Sequence, residues 1–424
     1  MKNMALALLC GLVGIPGAVS QQQESPVIDG YVTRVASSSD FDVNGYRVIC
    51  GTGTQTTIGQ PQSKEVLSSQ GCPQDRLYLG EPVKIYGSVK KKEHAVEAGQ
   101  TEAQPVVRGE ITGSAVIDAL PAHDSAGAQS GSLIVRADGY RILIGSVTTI
   151  AWDPPPNSVA AVVPGDWIEY KGKQRADGII VAESAKLSRT YVSNSDEKLH
   201  KKYDFVDPND TTKGVRVLTG TIRPYPDAAM RARVNAIGDK LVPAYQRALP
   251  DTDPAKINFR FLVVDKKHWH DALTLPGGII LVPRQVVERM QNDSQLATVL
   301  ADNISCLLEK QPDRDLPASV ELTAVGVGAD FVGIFVPGVG LAATAAGISE
   351  EEMVIKAEQQ SGRVSLGLLR DAGYDINQAP VAWWLLAASK PEPTSKILLP
   401  YRAAYVYRAL GENWQTSNAD LQKP

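Results

Sequence analysis

Asn292-Asp293-Ser294-Gln295-Leu296-Ala297-Thr298-Val299-Leu300-Ala301-Asp302-Asn303-Ile304-Ser305-Cys306-Leu307-Leu308 decides the fold of the C-terminal half. Its first four residues have the composition of a helix cap, in which a polar side chain accepts from the backbone N–H groups of the first turn. Leu296, Val299, Leu300, Ile304, Leu307 and Leu308 then mark the buried side of the helix that follows. Upstream, Met230, Val234, Ile237, Leu241, Tyr245 and Leu249 recur at three and four, predicting one amphipathic helix after Asp227. Asn258 to Val264 reads as a strand. Leu275-Pro276-Gly277-Gly278 reads as a turn entering a second strand, Ile279-Ile280-Leu281-Val282. Residues 216–411 are therefore expected to form a mainly helical domain, with 412–424 as a tail.

Outward from that domain the period changes. From Val27 to Ser188 it is two, with frequent Gly and no long helical segment. Two stretches resemble each other. Gly30-Tyr31-Val32-Thr33, Phe41 to Val48 and Leu79 to Gly87 answer to Gly109-Glu110-Ile111-Thr112, Leu133 to Ile142 and Pro164 to Gly172. Each holds a dipeptide that accepts positive φ in a two-residue hairpin, Asn44-Gly45 and Asp138-Gly139. The expectation is two small antiparallel, OB-like barrels or sandwiches, 27–100 and 105–190, joined by a polar linker, 191–215, to the helical domain. The fold class is α+β multidomain.

Composition limits the function. Lys+Arg is 43 against Asp+Glu 47, and Lys90-Lys91-Lys92 is the longest basic run, so a dedicated nucleic-acid binder is not expected. Five His and four Cys exclude a zinc-rich or disulfide-dense scaffold. The barrels read as interaction or spacer modules.

The first 20 residues read as a cleaved signal peptide. Lys2 is the positive start, Met4 to Val13 the apolar run, and Ala18-Val19-Ser20 the small-residue processing site. A lipoprotein processed at Cys10 is the weaker alternative. The expected destination is the periplasm or the secreted fraction. In an oxidising compartment Cys50 and Cys72 can close a disulfide contributing about 3 kcal/mol; the alternative is two separate thiols. Residues 331–349 are uncharged and rich in Gly, Ala and Val. With Pro337 inside, they read as a bent hairpin able to touch a membrane surface rather than as a span.

Asp271 to Gly278, the strand after it, Asp293 to Ala301, and Glu358-Gln359-Gln360-Ser361-Gly362-Arg363 followed by Ala372-Gly373-Tyr374-Asp375 resemble the HtpX/BepA-type zinc metallopeptidases (metallopeptidase family 48) over about Gly220 to Gly411. The resemblance implies a zincin (gluzincin) domain. It also implies an H-E-x-x-H helix in which two His bind zinc and the Glu takes a proton from metal-bound water. Here those positions read Asp302, Asn303 and Cys306. The third-ligand position is Glu358, and an acidic position four residues later is Gly362. An amide cannot serve as a general base, so Asn303 removes that function. No catalytic residue and no resident cofactor are expected, and zinc at low occupancy on Asp302, Cys306 and Glu358 is the alternative. His268 and His270 read as near-surface residues.

The leading expectation is an exported pseudopeptidase that binds extended peptide or an envelope partner. The proposed peptide edge is Gly277, Gly278, Ile279, Ile280, Leu281 and Val282, read as an open strand available for strand addition. The alternatives are an active endopeptidase on the Asp/Cys/Glu set, and an envelope protein acting through its β modules.

Overall fold

The computed structural model describes residues 26–37, 40–60, 63–71, 77, 81–93, 95–103, 110–120, 132–153, 162–175, 177–189, 210, 212–217, 220–267, 269, 271–275, 277–311, 350–387 and 393–414. The expected signal peptide, Cys72, most of the 191–215 linker, His268, His270, Pro276 and the 331–349 segment lie outside them.

Both β modules close into rings of five strands with one strand added outside. The first contains β1 (Ile28–Ser37), β2 (Asp40–Val43), β3 (Tyr46–Gln60), β4 (Ser63–Gln70), β5 (Pro82–Lys90) and β6 (Ala95–Ala103). Its ring runs β1-β2-β3-β6-β5 and back to β1, with β4 on the outer edge of β3. The second contains β7 (Glu110–Ala119), β8 (Leu133–Ala137), β9 (Tyr140–Ile144), β10 (Thr149–Asp153), β11 (Trp167–Gln174) and β12 (Ile180–Ser188). Its ring runs β7-β8-β9-β12-β11 in the same order. The repeat in sequence is thus a repeat in topology, of OB-like type. One correction applies: the barrels are not wholly antiparallel. β3 runs parallel to β6 and β9 parallel to β12, because the ring closes by laying its last strand beside its third.

The two hairpin dipeptides behave as expected. Asn44 and Gly45 have φ of 50° and 77°, Asp138 and Gly139 of 54° and 69°, the double left-handed turn that matches strand twist. Inside, Val32, Phe41, Val48 and Ile85 fill the first barrel and Ile117, Ile142, Ile168 and Ile180 the second.

The C-terminal part begins with a hairpin, β13 (Val215–Val217) and β14 (Gly220–Ile222). Helices α1 (Ala228–Leu241) and α2 (Ala244–Ala248) follow. Asp227 caps α1 by accepting from the Met230 N–H at 2.9 Å. The single helix expected to reach Leu249 is broken at Val242. Pro243 lacks an N–H, and the residue before a proline is pushed to the extended conformation found here.

Next come β15 (Arg260–Val264), β16 (Leu273–Leu275), β17 (Ile279–Pro283), α3 (Arg284–Arg289), α4 (Asp293–Leu308), α5 (Glu350–Asp371), α6 (Gln378–Ala387) and α7 (Pro393–Asn413). Asn292 caps α4, accepting from the Gln295 N–H at 2.9 Å. This helix is enclosed on nearly every side rather than along one stripe: Thr298, Asp302, Asn303 and Ser305 are buried with its leucines. No helix among the described residues is long and apolar enough to cross a membrane.

The expected open edge at Ile279–Val282 is overturned. β17 is the middle strand of three, parallel to β15 on one side and antiparallel to β16 on the other. All four side chains are fully buried. Ile280 and Val282 face α1, α3 and α4, while Ile279 and Leu281 lie under the β13–β14 hairpin with Val215 and Ile222. A continuous apolar run is what a strand covered on both faces requires.

Candidate functional site

Side chains from several elements converge on one largely buried guanidinium. Asp271 stands two residues before β16, Glu358 lies on α5, and Arg402 is on α7. Arg402 donates from NH1 to Asp271 Oδ2 at 2.5 Å, and its Nε forms an ion pair with Glu358 Oε2. Asp302, on α4, has Oδ2 3.8 Å from the same NH1. The guanidinium lies over the Trp383 ring of α6, 4.6 Å from its centroid. One positive group therefore faces three carboxyl groups, with an indole closing one side.

The charges inside this centre are unequal. Burial pushes the Asp302 carboxyl up to about 8, the neighbouring Glu358 and Asp271 push the same way, and Arg402 opposes them. Burial also raises Asp271, against the pull of Arg402. Burial works against the charge on Arg402, yet Glu358, Asp271 and Asp302 together hold it well above an ordinary arginine. Asp302 is the carboxyl with the longest approach to the guanidinium, which makes it the natural place for a retained proton. Protonating it leaves two carboxylates against one cation.

Asn303 is bound on both ends of its amide. Its Oδ1 accepts from the Thr274 hydroxyl at 2.7 Å and its Nδ2 donates to the Val299 carbonyl at 2.9 Å. Thr274 is the middle residue of β16, so this contact ties the antiparallel strand to α4. Cys306, one turn beyond Asp302, is half-buried. Gly362 faces α7: a Cβ there would lie 3.2 Å from Val406 Cγ2. A side chain at this position requires Val406 to give way by a few tenths of an ångström.

Of the residues singled out from sequence, Asp302 and Glu358 meet at the centre. Gly277 to Val282 run away from it into the middle of the sheet. Cys50 is disulfide-bonded, while Cys72, its expected partner, lies outside the described residues. The residue that organises the centre, Arg402, escaped the sequence reading. Its one available signal is a lone charge between Leu399 and Val406 on an otherwise uncharged helix segment.

A zinc ion does not fit this donor set. A divalent cation placed among Asp271, Asp302 and Glu358 would stand beside the guanidinium that already pairs with two of them. Among the described residues no group of three or more His, Cys, Asp and Glu is arranged to hold a metal ion. No protein-family model matches the chain, and no curated protein matches it.

Proposed function

We propose that this chain is an exported, non-catalytic peptidase-like protein that binds an extended peptide or an envelope partner beside α4. The resemblance carried by Asp271–Gly278, Asp293–Ala301 and Glu358–Asp375 supplies the peptidase reading. The observation that carries the non-catalytic part is Arg402 itself. A fixed cation bonds the third-ligand position, Glu358, and Asp271, in the place where a hydrolase of that type would need an exchangeable metal. The amide at Asn303, engaged by Thr274 and Val299, is not basic enough to take a proton from water.

The strand available to a peptide is β16 rather than β17. Among the described residues β17 has a strand on each side, whereas β16 pairs only with β17, which favours β16 for strand addition. Export rests on the signal-like first 20 residues.

The test is a pair of measurements on the purified full chain. Casein incubated with it and added zinc is expected to remain intact. Fluorescein-labelled unstructured peptides are expected to gain anisotropy. Chelator-sensitive cleavage that disappears in Cys306→Ala would instead establish a hydrolase built on Asp302, Cys306 and Glu358. Intact casein with no peptide binding would move the function to the barrels.

A further inference from the structure

The second barrel is joined to the helical domain by crossed ion pairs. Arg363 of α5 reaches into the β8–β9 turn: its Nε donates to the Asp138 carbonyl at 2.9 Å and its NH2 to the Asp138 carboxylate. Its NH1 donates to the Tyr405 hydroxyl of α7 at 2.6 Å, and its guanidinium lies 4.8 Å from the Tyr140 ring centroid. In the opposite sense, Arg136 of β8 holds Asp371 at the end of α5 with two hydrogen bonds, of 3.0 and 2.5 Å. The turn approaches α5 so closely that a Cβ on Gly139 would stand 2.5 Å from the Arg363 carbonyl carbon. Positive φ and backbone contact thus both require glycine there.

These contacts fall on the helices that carry the centre. Glu358 meets Arg402 and, further along both helices, Arg363 meets Tyr405, so α5 and α7 run side by side in the same direction. Their first halves hold the carboxylate–arginine centre and their second halves hold the barrel. The homologous turn of the first barrel carries Asn44, an amide, where the second carries Asp138. The carboxylate that pairs with Arg363 is therefore the feature by which the two turns differ.

We propose that the second barrel is a positioning module for the carboxylate–arginine centre. Through Asp138, Arg363 and Tyr405 it holds α5 and α7 in the alignment at which Glu358 and Asp271 meet Arg402, and displacing the barrel releases that centre. The proposal does not depend on what the helical domain binds.

The experiment is Asp138→Asn in the full chain, read by hydrogen exchange and by Trp383 fluorescence. Asparagine suits the turn, as Asn44 shows, so the backbone is kept while the charge facing Arg363 is removed, together with one of the two oxygens that accept from Arg363 and from the Tyr170 hydroxyl. Amides 357–371 and 399–413 are expected to exchange roughly tenfold faster while those of the barrel core around Ile142 and Ile180 keep their rates. The emission component lost in Trp383→Phe is expected to shift. Faster exchange confined to the turn, with the Trp383 signal unchanged, overturns the proposal. Should Asp138→Asn not fold, Tyr405→Phe removes only the α7 acceptor. Faster exchange in 399–413 is then expected, and unchanged exchange there overturns the proposal equally.

Discussion

Thr274 donates its hydroxyl to Oδ1 of Asn303 at 2.7 Å, fastening the outer strand of the three-stranded sheet to the central helix. Both groups are buried, so each satisfies a polar atom that would otherwise be stranded. Thr274→Val keeps the shape and leaves the Asn303 oxygen without this donor. A loss of about 1–3 kcal/mol is expected in urea unfolding. The paired change Thr274→Val with Asn303→Leu removes both partners and is expected to cost less than the sum of the single changes. A strictly additive cycle would show that the two do not interact.

Arg402 is the residue whose removal is expected to harm the fold most. Arg402→Met keeps much of the apolar stem but leaves the half-buried Asp271 and Glu358 carboxylates without their cation. Breaking such a pair on one side costs about 3–5 kcal/mol. Adding Asp271→Asn and Glu358→Gln to Arg402→Met is expected to recover part of that stability. A single variant as stable as the native chain would mean that the guanidinium is not compensating the carboxylates.

Asp302 predicts a pH slope with a definite sign. Its folded value of about 8 lies above its ordinary 3.8, so between these the folded protein holds a proton that the unfolded chain releases. The contribution of this group is full below 3.8 and is lost as pH rises through 8. Asp302→Asn keeps a neutral side chain at every pH. The stability of the native chain relative to this variant is therefore expected to fall steadily between pH 4 and pH 8. Parallel curves would contradict the buried neutral acid.

Installing an H-E-x-x-H pattern on α4 is expected to give no zinc site while Arg402 remains. Asp302→His, Asn303→Glu and Cys306→His together supply two imidazoles and a general base, yet the guanidinium still bonds Glu358. Equilibrium dialysis should find no stoichiometric zinc in the triple variant, and zinc retention only when Arg402→Met is added. Gly362→Asp is expected to cost about 1–3 kcal/mol by overpacking against Val406. Stoichiometric zinc in the triple variant alone would show that Arg402 yields its place to a metal.

Local chemistry was legible along the chain. Asn44-Gly45 and Asp138-Gly139 announce their turns because two consecutive positive φ values exclude most other residues. Asn292 announces the start of α4 because a cap acts on N–H groups within its own first turn. The barrel repeat was readable for the same reason: alternation and turn chemistry act over a few residues. Periodicity alone predicts an unbroken helix through Leu249, and Pro243 ends it at Val242.

What only the tertiary structure decided depends on separation. Ile279–Val282 is the same apolar run whether it lies at an edge or in the middle, and only the pairing of β15 and β16 on its two sides makes it central. Arg402 and Asp271 are 131 positions apart, and Arg363 and Asp138 are 225 apart. No periodicity connects such pairs. A buried charge is tolerable only beside its counter-charge, and which counter-charge it meets is settled by how helices and barrel pack, not by any neighbour along the chain.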